Sequence, residues 1–113
     1  MTWDEVRMIA LSFPAVEEST SYGTPSFKVN GKFLTRLRAE DNSVVLTDVG
    51  FDERELLIEA DPATFHTTPH YKDYPAVLAR LEMLDPDSAR AFLERRWRHV
   101  APKTVVKAYD AGR

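Results

Sequence analysis

Residues 26–38 read Ser-Phe-Lys-Val-Asn-Gly-Lys-Phe-Leu-Thr-Arg-Leu-Arg, and the pair at the centre decides the fold class. A type I′ turn needs positive φ at both central positions, and Asn30-Gly31 meets that need at least cost. On its N-terminal side Phe27 and Val29 alternate with Ser26 and Lys28, the period of a strand. On its C-terminal side Lys32 to Arg38 continue the alternation. Phe33, Thr35 and Leu37 are expected on one face, and Leu34, Arg36 and Arg38 on the other, which makes one face partly basic. Working outward, Ser19 to Tyr22 is short and β-prone, and Gly23-Thr24-Pro25 reads as a turn. Ala39 to Asn42 reads as another turn, and Ser43 to Thr47 as a further strand. Three consecutive antiparallel strands make a meander, which commonly packs one face and wets the other.

Helices flank this meander. Thr2 and Glu5 form a capping box, after which Val6, Ile9, Ala10 and Phe13 share one face. Pro14 disfavours helical geometry at Phe13 and ends that helix. Asp52 and Glu55 form a second box-like pair before an apolar run to Ala60, stopped by Asp61-Pro62. Residues 63–75 read as irregular, and Ala76 to Leu81 as a buried strand. Asp85-Pro86 supplies an N-cap and a first-turn proline for a helix whose apolar stripe is Ala89, Phe92, Leu93 and Trp97. A last short helix is expected from Lys103 to about Tyr109, with residues 111–113 frayed. Adjacent strands with helices at the ends argue for one α+β domain over residues 1–113, not for a βαβ alternation.

Composition narrows the function classes. With 43% hydrophobic and 29% charged residues the chain is not disordered. It has no cysteine, which excludes disulfides, thiolate metal sites and cysteine nucleophiles. No apolar run is long enough to span a bilayer, and Met1 to Glu5 is acidic, unlike a signal peptide. A soluble cytoplasmic protein is expected, monomeric, with no membrane association. The net charge is -3, yet it is uneven: residues 1–60 carry -5 and residues 61–113 carry +2. Arg90 to Lys107 alone is +5, a strip that reads either as a solvated helical face or as a phosphate contact.

The chemistry-bearing stretch is His66-Thr-Thr-Pro-His70-Tyr71-Lys72-Asp73-Tyr74. A metal site would use His66, His70 and Asp73. However, Thr67-Thr68-Pro69 opposes the helix that the histidine spacing needs, so no metal or other cofactor is expected. No serine sits in a nucleophile-elbow pattern and no glycine-rich phosphate loop is present, so no catalytic residue is assigned. Tyr71 and Tyr74, in a polar loop, are the aromatics expected at the surface, where aromatics can stack on bases.

Read together, these pieces resemble the MmcQ/YjbR family of small bacterial proteins. The resemblance rests on Trp3-Asp-Glu-Val6, Phe13-Pro14, Ser21-Tyr-Gly-Thr-Pro-Ser-Phe-Lys-Val29 and Gly31-Lys-Phe33. It continues through Pro69-His-Tyr71, Leu78-Ala-Arg-Leu81, Trp97 and Ala101-Pro-Lys103. It implies a two-layer fold, frataxin-like or secretion-chaperone-like, with an antiparallel sheet packed on one face by N- and C-terminal helices. It also implies a non-enzymatic DNA-binding domain of double-wing type, and it carries no catalytic motif. On that view Lys28, Lys32, Arg36 and Arg38 on the hairpins contact the phosphate backbone, with Lys72 and Arg80 nearby. The acidic balance departs from what a duplex binder shows. A protein-interaction module using the open sheet face is the alternative. A third reading, a ligand site centred on His66, His70 and Tyr71, requires those three side chains to converge on a pocket.

Overall fold

The structure is a computed structural model that describes residues 1–112. Helix α1 (Trp3–Leu11) leads into four strands, β1 (Val16–Ser21), β2 (Thr24–Val29), β3 (Lys32–Arg38) and β4 (Ser43–Thr47). Helix α2 (Phe51–Ala60), β5 (Phe65–His66), β6 (Ala76–Arg80), α3 (Pro86–Val100) and α4 (Lys103–Ala111) complete the chain. The six strands form one sheet in the order β1-β2-β3-β4-β6-β5, and every pairing is antiparallel. The α+β class and the end-placed helices are as the sequence implied. The meander has four strands, not three, and β5 lies in the stretch expected to be irregular.

Two tight turns set the first three strands. Asn30 and Gly31 take φ of 51° and 77°, as a two-residue hairpin requires. The turn expected at Gly23-Thr24-Pro25 lies one residue earlier: Tyr22 and Gly23 take φ of 54° and 75°, and Thr24 and Pro25 begin β2. Between the hairpins β2 and β3 lose step. Phe27 pairs with Thr35 but Lys28 pairs with Phe33, so Leu34 is an extra residue on β3. Such a bulge inverts the face phase beyond it. Leu34 and Leu37 therefore pack into the main core, whereas Phe33 belongs to a cluster on the opposite face and Arg36 lies beside it. The regular alternation read from the sequence is corrected by that one residue.

The main core lies between the sheet and α1 and α3. The capping box of Thr2 and Glu5 is formed, and Val6, Ile9 and Ala10 of α1 are buried. Asp85 caps α3, whose buried stripe is Ala89, Leu93, Trp97 and Val100. Trp97 is wholly buried, stacks on Phe13 at 5.3 Å, and its indole N–H donates to the Pro14 carbonyl at 2.9 Å. That bond satisfies the one polar atom of the largest core side chain. Helix α2 begins at Phe51 with Gly50 as N-cap and no side-chain cap, so Asp52 lies within the first turn and not at the cap. There its carboxylate complements the helix dipole. Helix α4 continues to Ala111, past the end expected for it, and Arg113 lies outside the described residues. Among the described residues no helix is long and apolar enough to cross a membrane.

Candidate functional site

The face of the sheet turned away from α1 and α3 carries a small second cluster. Val45 from β4 and Ala76 and Leu78 from β6 form an apolar floor, with Phe33 at its edge. The loop over residues 67–75 folds back onto this floor and lays Tyr71 on it. The backbone N–H of Tyr71 donates to Thr68 and that of Tyr74 to Tyr71, so the loop is built of tight turns.

Arg54 of α2 holds the loop in place. Its Nη1 donates to the carbonyls of Tyr71, Tyr74 and Ala76 at 3.1, 3.0 and 3.4 Å, and its Nη2 to that of Lys72 at 2.9 Å. The guanidinium is buried, with the Phe51 ring 5.0 Å away. Nothing in the sequence around Arg54 announces this. It stands between Glu53 and Glu55 in a highly charged helix, and its partners lie 17 to 22 residues away.

Two hollows open beside Tyr71, sharing Tyr22, His70 and Tyr71 as walls. The mainly apolar one, about 290 Å³, reaches Phe33, Val45, Thr47, Tyr74 and Ala76. The polar one, about 220 Å³, reaches Arg36, Arg38 and Glu40. His70 meets Tyr71 edge-on at 4.7 Å and Tyr22 at 5.7 Å. Tyr22 is 77% exposed at the hairpin tip, and the Arg36 guanidinium sits 4.9 Å from its ring centre. A bulky side chain at positive φ is a steric outlier, so the turn holds Tyr22 there at a cost.

Arg36 is the buried charged group of this cleft, and it is not the surface phosphate contact expected from the hairpin. It is 5% exposed. Its Nε donates to the Tyr71 hydroxyl at 2.9 Å, and its Nη1 to Thr24 Oγ1 and the Leu37 carbonyl, both at 3.2 Å. None of these bonds uses Nη2, and among the described residues no carboxylate pairs with it. The bulge explains the burial, since it turns Arg36 under the returning loop. Tyr71, expected at the surface, is 8% exposed for the same reason, while Tyr74 is exposed.

The other expected contacts separate. Arg38 is paired with Asp41 at 2.6 Å and Glu40 at 3.4 Å. Arg80 donates to the Pro62 and Ala63 carbonyls. Lys28 stands opposite Phe33 in the register, hence on the cleft face, and Lys32 stands opposite Val29, hence on the helix face. Lys72 is exposed on the loop. The basic strip of α3 is engaged in the fold. Arg95 pairs with Glu53, Arg96 with Asp48, and Arg98 with Glu94 and Asp110.

Of the three residues proposed to share a pocket, His70 and Tyr71 converge and His66 does not. His66 Nε2 lies 3.0 Å from Ser43 Oγ and 3.4 Å from Asp41. Both partners meet the same ring nitrogen and Ser43 is fully buried, which is not the geometry of a nucleophile, base and orienting carboxylate. Burial, chiefly, and the Arg80 guanidinium hold the imidazole below its usual pKa. Asp41 pulls upward and is outweighed, and Arg38 adds a smaller downward push. Among the described residues no group of three or more His, Asp or Glu side chains is placed to hold a metal ion.

Comparison with known proteins places this geometry in context. The YjbR family pattern matches residues 11–99. Uncharacterised proteins of Mycobacterium bovis and of two Mycobacterium tuberculosis strains are each 29% identical to the chain. The match spans 97% of this chain and 96% of theirs. No solved structure gives a significant match.

Proposed function

The chain belongs to the YjbR family, and from that premise we propose that it is a non-enzymatic binding domain that takes single-stranded DNA across its open face. The observation that carries the reading is Tyr22, kept exposed at 77% in a left-handed backbone position at the mouth of an aromatic cleft. Exposed Tyr22 and Tyr74, with His70 between them in the cleft wall, offer ring faces on which bases stack, a contact worth about 1–3 kcal/mol per base. Lys28 on the same face and Lys72 on the loop supply phosphate contacts at the rim. A single strand fits better than a duplex, because Arg38, Arg80 and the α3 arginines are engaged within the fold. The arrangement favours binding over turnover: His70 meets Tyr71 ring edge to ring face, and the Tyr71 hydroxyl accepts from Arg36.

Fluorescence anisotropy with labelled single- and double-stranded DNA at low and then physiological salt tests this. Single strands should bind more tightly, with a shallow salt slope matching about two to three neutralised phosphates. Tyr22→Ala with Tyr74→Ala should abolish binding. A lack of binding at low salt refutes the proposal. The net charge of -3 and the apolar floor favour, in that event, a protein-interaction module on the same face.

A further inference from the structure

Arg36 poses a question that strand binding alone does not answer. A guanidinium removed from water is costly unless an anion meets it. Arg36 is 5% exposed, yet its hydrogen-bond partners are all neutral, none of them engages Nη2, and the side chain lines the polar hollow. Glu40 and Asp41 both pair with Arg38, so the four charges balance as a set, yet neither carboxylate is bonded to Arg36. The hollow thus presents one buried guanidinium that no carboxylate meets, and the apolar hollow begins on the other side of shared walls.

From this juxtaposition we infer that the cleft is a discrete pocket for a planar ring bearing one anionic group, with the ring in the apolar hollow and the anion on Arg36 Nη2. The inference deepens the DNA-binding reading and rests on it for the source of the ligand, a single nucleotide unit. One guanidinium suits one phosphoryl or carboxylate group. The apolar hollow of about 290 Å³, with Phe33 and Tyr74 in its lining, has room for a base. The same chemistry is found in a free aromatic carboxylate, and the test separates the two sources.

Isothermal titration calorimetry with uridine monophosphate, uridine, inorganic phosphate and benzoate on the wild-type chain is the experiment. The monophosphate should bind at least tenfold more tightly than uridine or phosphate alone. Arg36→Gln should remove that advantage while leaving uridine unchanged. Because Arg36→Gln can disturb folding, the wild-type protein is also titrated by NMR, where the His70 ring and Tyr22 amide signals should shift with the monophosphate. Benzoate binding that is lost in Arg36→Gln, without monophosphate binding, supports the pocket and assigns it to a carboxylate. If oligonucleotides bind while no monomer shifts His70 or Tyr22, the pocket is refuted and the strand-binding reading stands. If neither monomers nor oligonucleotides bind, both fall.

Discussion

Replacing Arg54 by glutamine isolates the loop clamp. The wild-type guanidinium reaches four backbone carbonyls, three of them from Nη1. Hydrogen bonds from a charged donor contribute about 1.5–3 kcal/mol each. The four do not add, because Nη1 divides its hydrogens among three acceptors and the Ala76 contact is long at 3.4 Å. The lesion is also bounded from above. The 67–75 loop can lift and let water reach the freed carbonyls, so the loss should not exceed the cost of opening that loop. These limits give about 2–4 kcal/mol, within the range for breaking a buried polar network. A domain with about 5–15 kcal/mol of stability survives this. Urea unfolding measures the loss, and amide hydrogen exchange locates it. The Tyr71 and Tyr74 amides, bonded to Thr68 and Tyr71 inside the loop, should exchange much faster. Amides in the β3–β4 pairing should change only by the global loss. A loss within about 0.5 kcal/mol, as for an ordinary surface site, with unchanged exchange at Tyr71 and Tyr74, would refute the clamp. The loop would then be held by Tyr71 packing alone.

Tyr22→Asn should separate stability from binding. It relieves about 1–2 kcal/mol of left-handed backbone strain and gives up about 0.5–1 kcal/mol of ring–guanidinium attraction. Urea unfolding should therefore show a neutral to slightly positive change while anisotropy shows weakened DNA binding, and a clear stability loss with binding intact would assign Tyr22 to the fold. His66 should make stability depend on pH in one direction. Its native pKa is lowered, so as pH falls below about 6.5 the unfolded chain takes up the proton first. Its contribution is therefore complete above that pH and is lost as pH falls through the lowered native value. The drop in urea midpoint from pH 7.5 to 5.5 should be smaller in His66→Gln, and an equal or larger drop would overturn the assignment.

What the sequence disclosed depended on how local the cause was. The Thr2–Glu5 box, the Asp85 cap, the break at Pro14 and the Asn30-Gly31 turn all involve neighbours within one turn of chain, and all are present. The turn at Tyr22-Gly23 was misplaced because Pro25 resembles a turn residue and tyrosine resembles a strand residue. The bulge at Leu34 could not be read, since it exists only relative to β2. Every face assignment beyond it shifts with the bulge, which is why Arg36 reads as a wing contact in the sequence. The charge strip of α3 was visible as composition, but its partners Asp48 and Glu53 lie more than forty positions earlier. Arg54 was hidden for the same reason. Of the cleft, His70 and Tyr71 are legible because they sit together in a loop of unusual composition. Tyr22 reads in the sequence only as the end of a β-prone segment.

The bulge also bears on how such a chain can vary over generations. Between Gly31 and Arg36 the number of residues determines which side of the sheet receives a cation and which receives a leucine. Loss of Leu34 itself would restore regular pleating and leave Arg36 opposite Ser26 on the cleft face, whereas a residue gained or lost with the bulge retained would turn Arg36 toward the helix face and bring Leu37 out to the cleft. Substitutions in this stretch act one at a time, whereas a change of length alters the whole remaining strand together. Drift in this protein should therefore gather in the lengths of its outer loops, while the reading frame of β3 stays fixed even where its letters change.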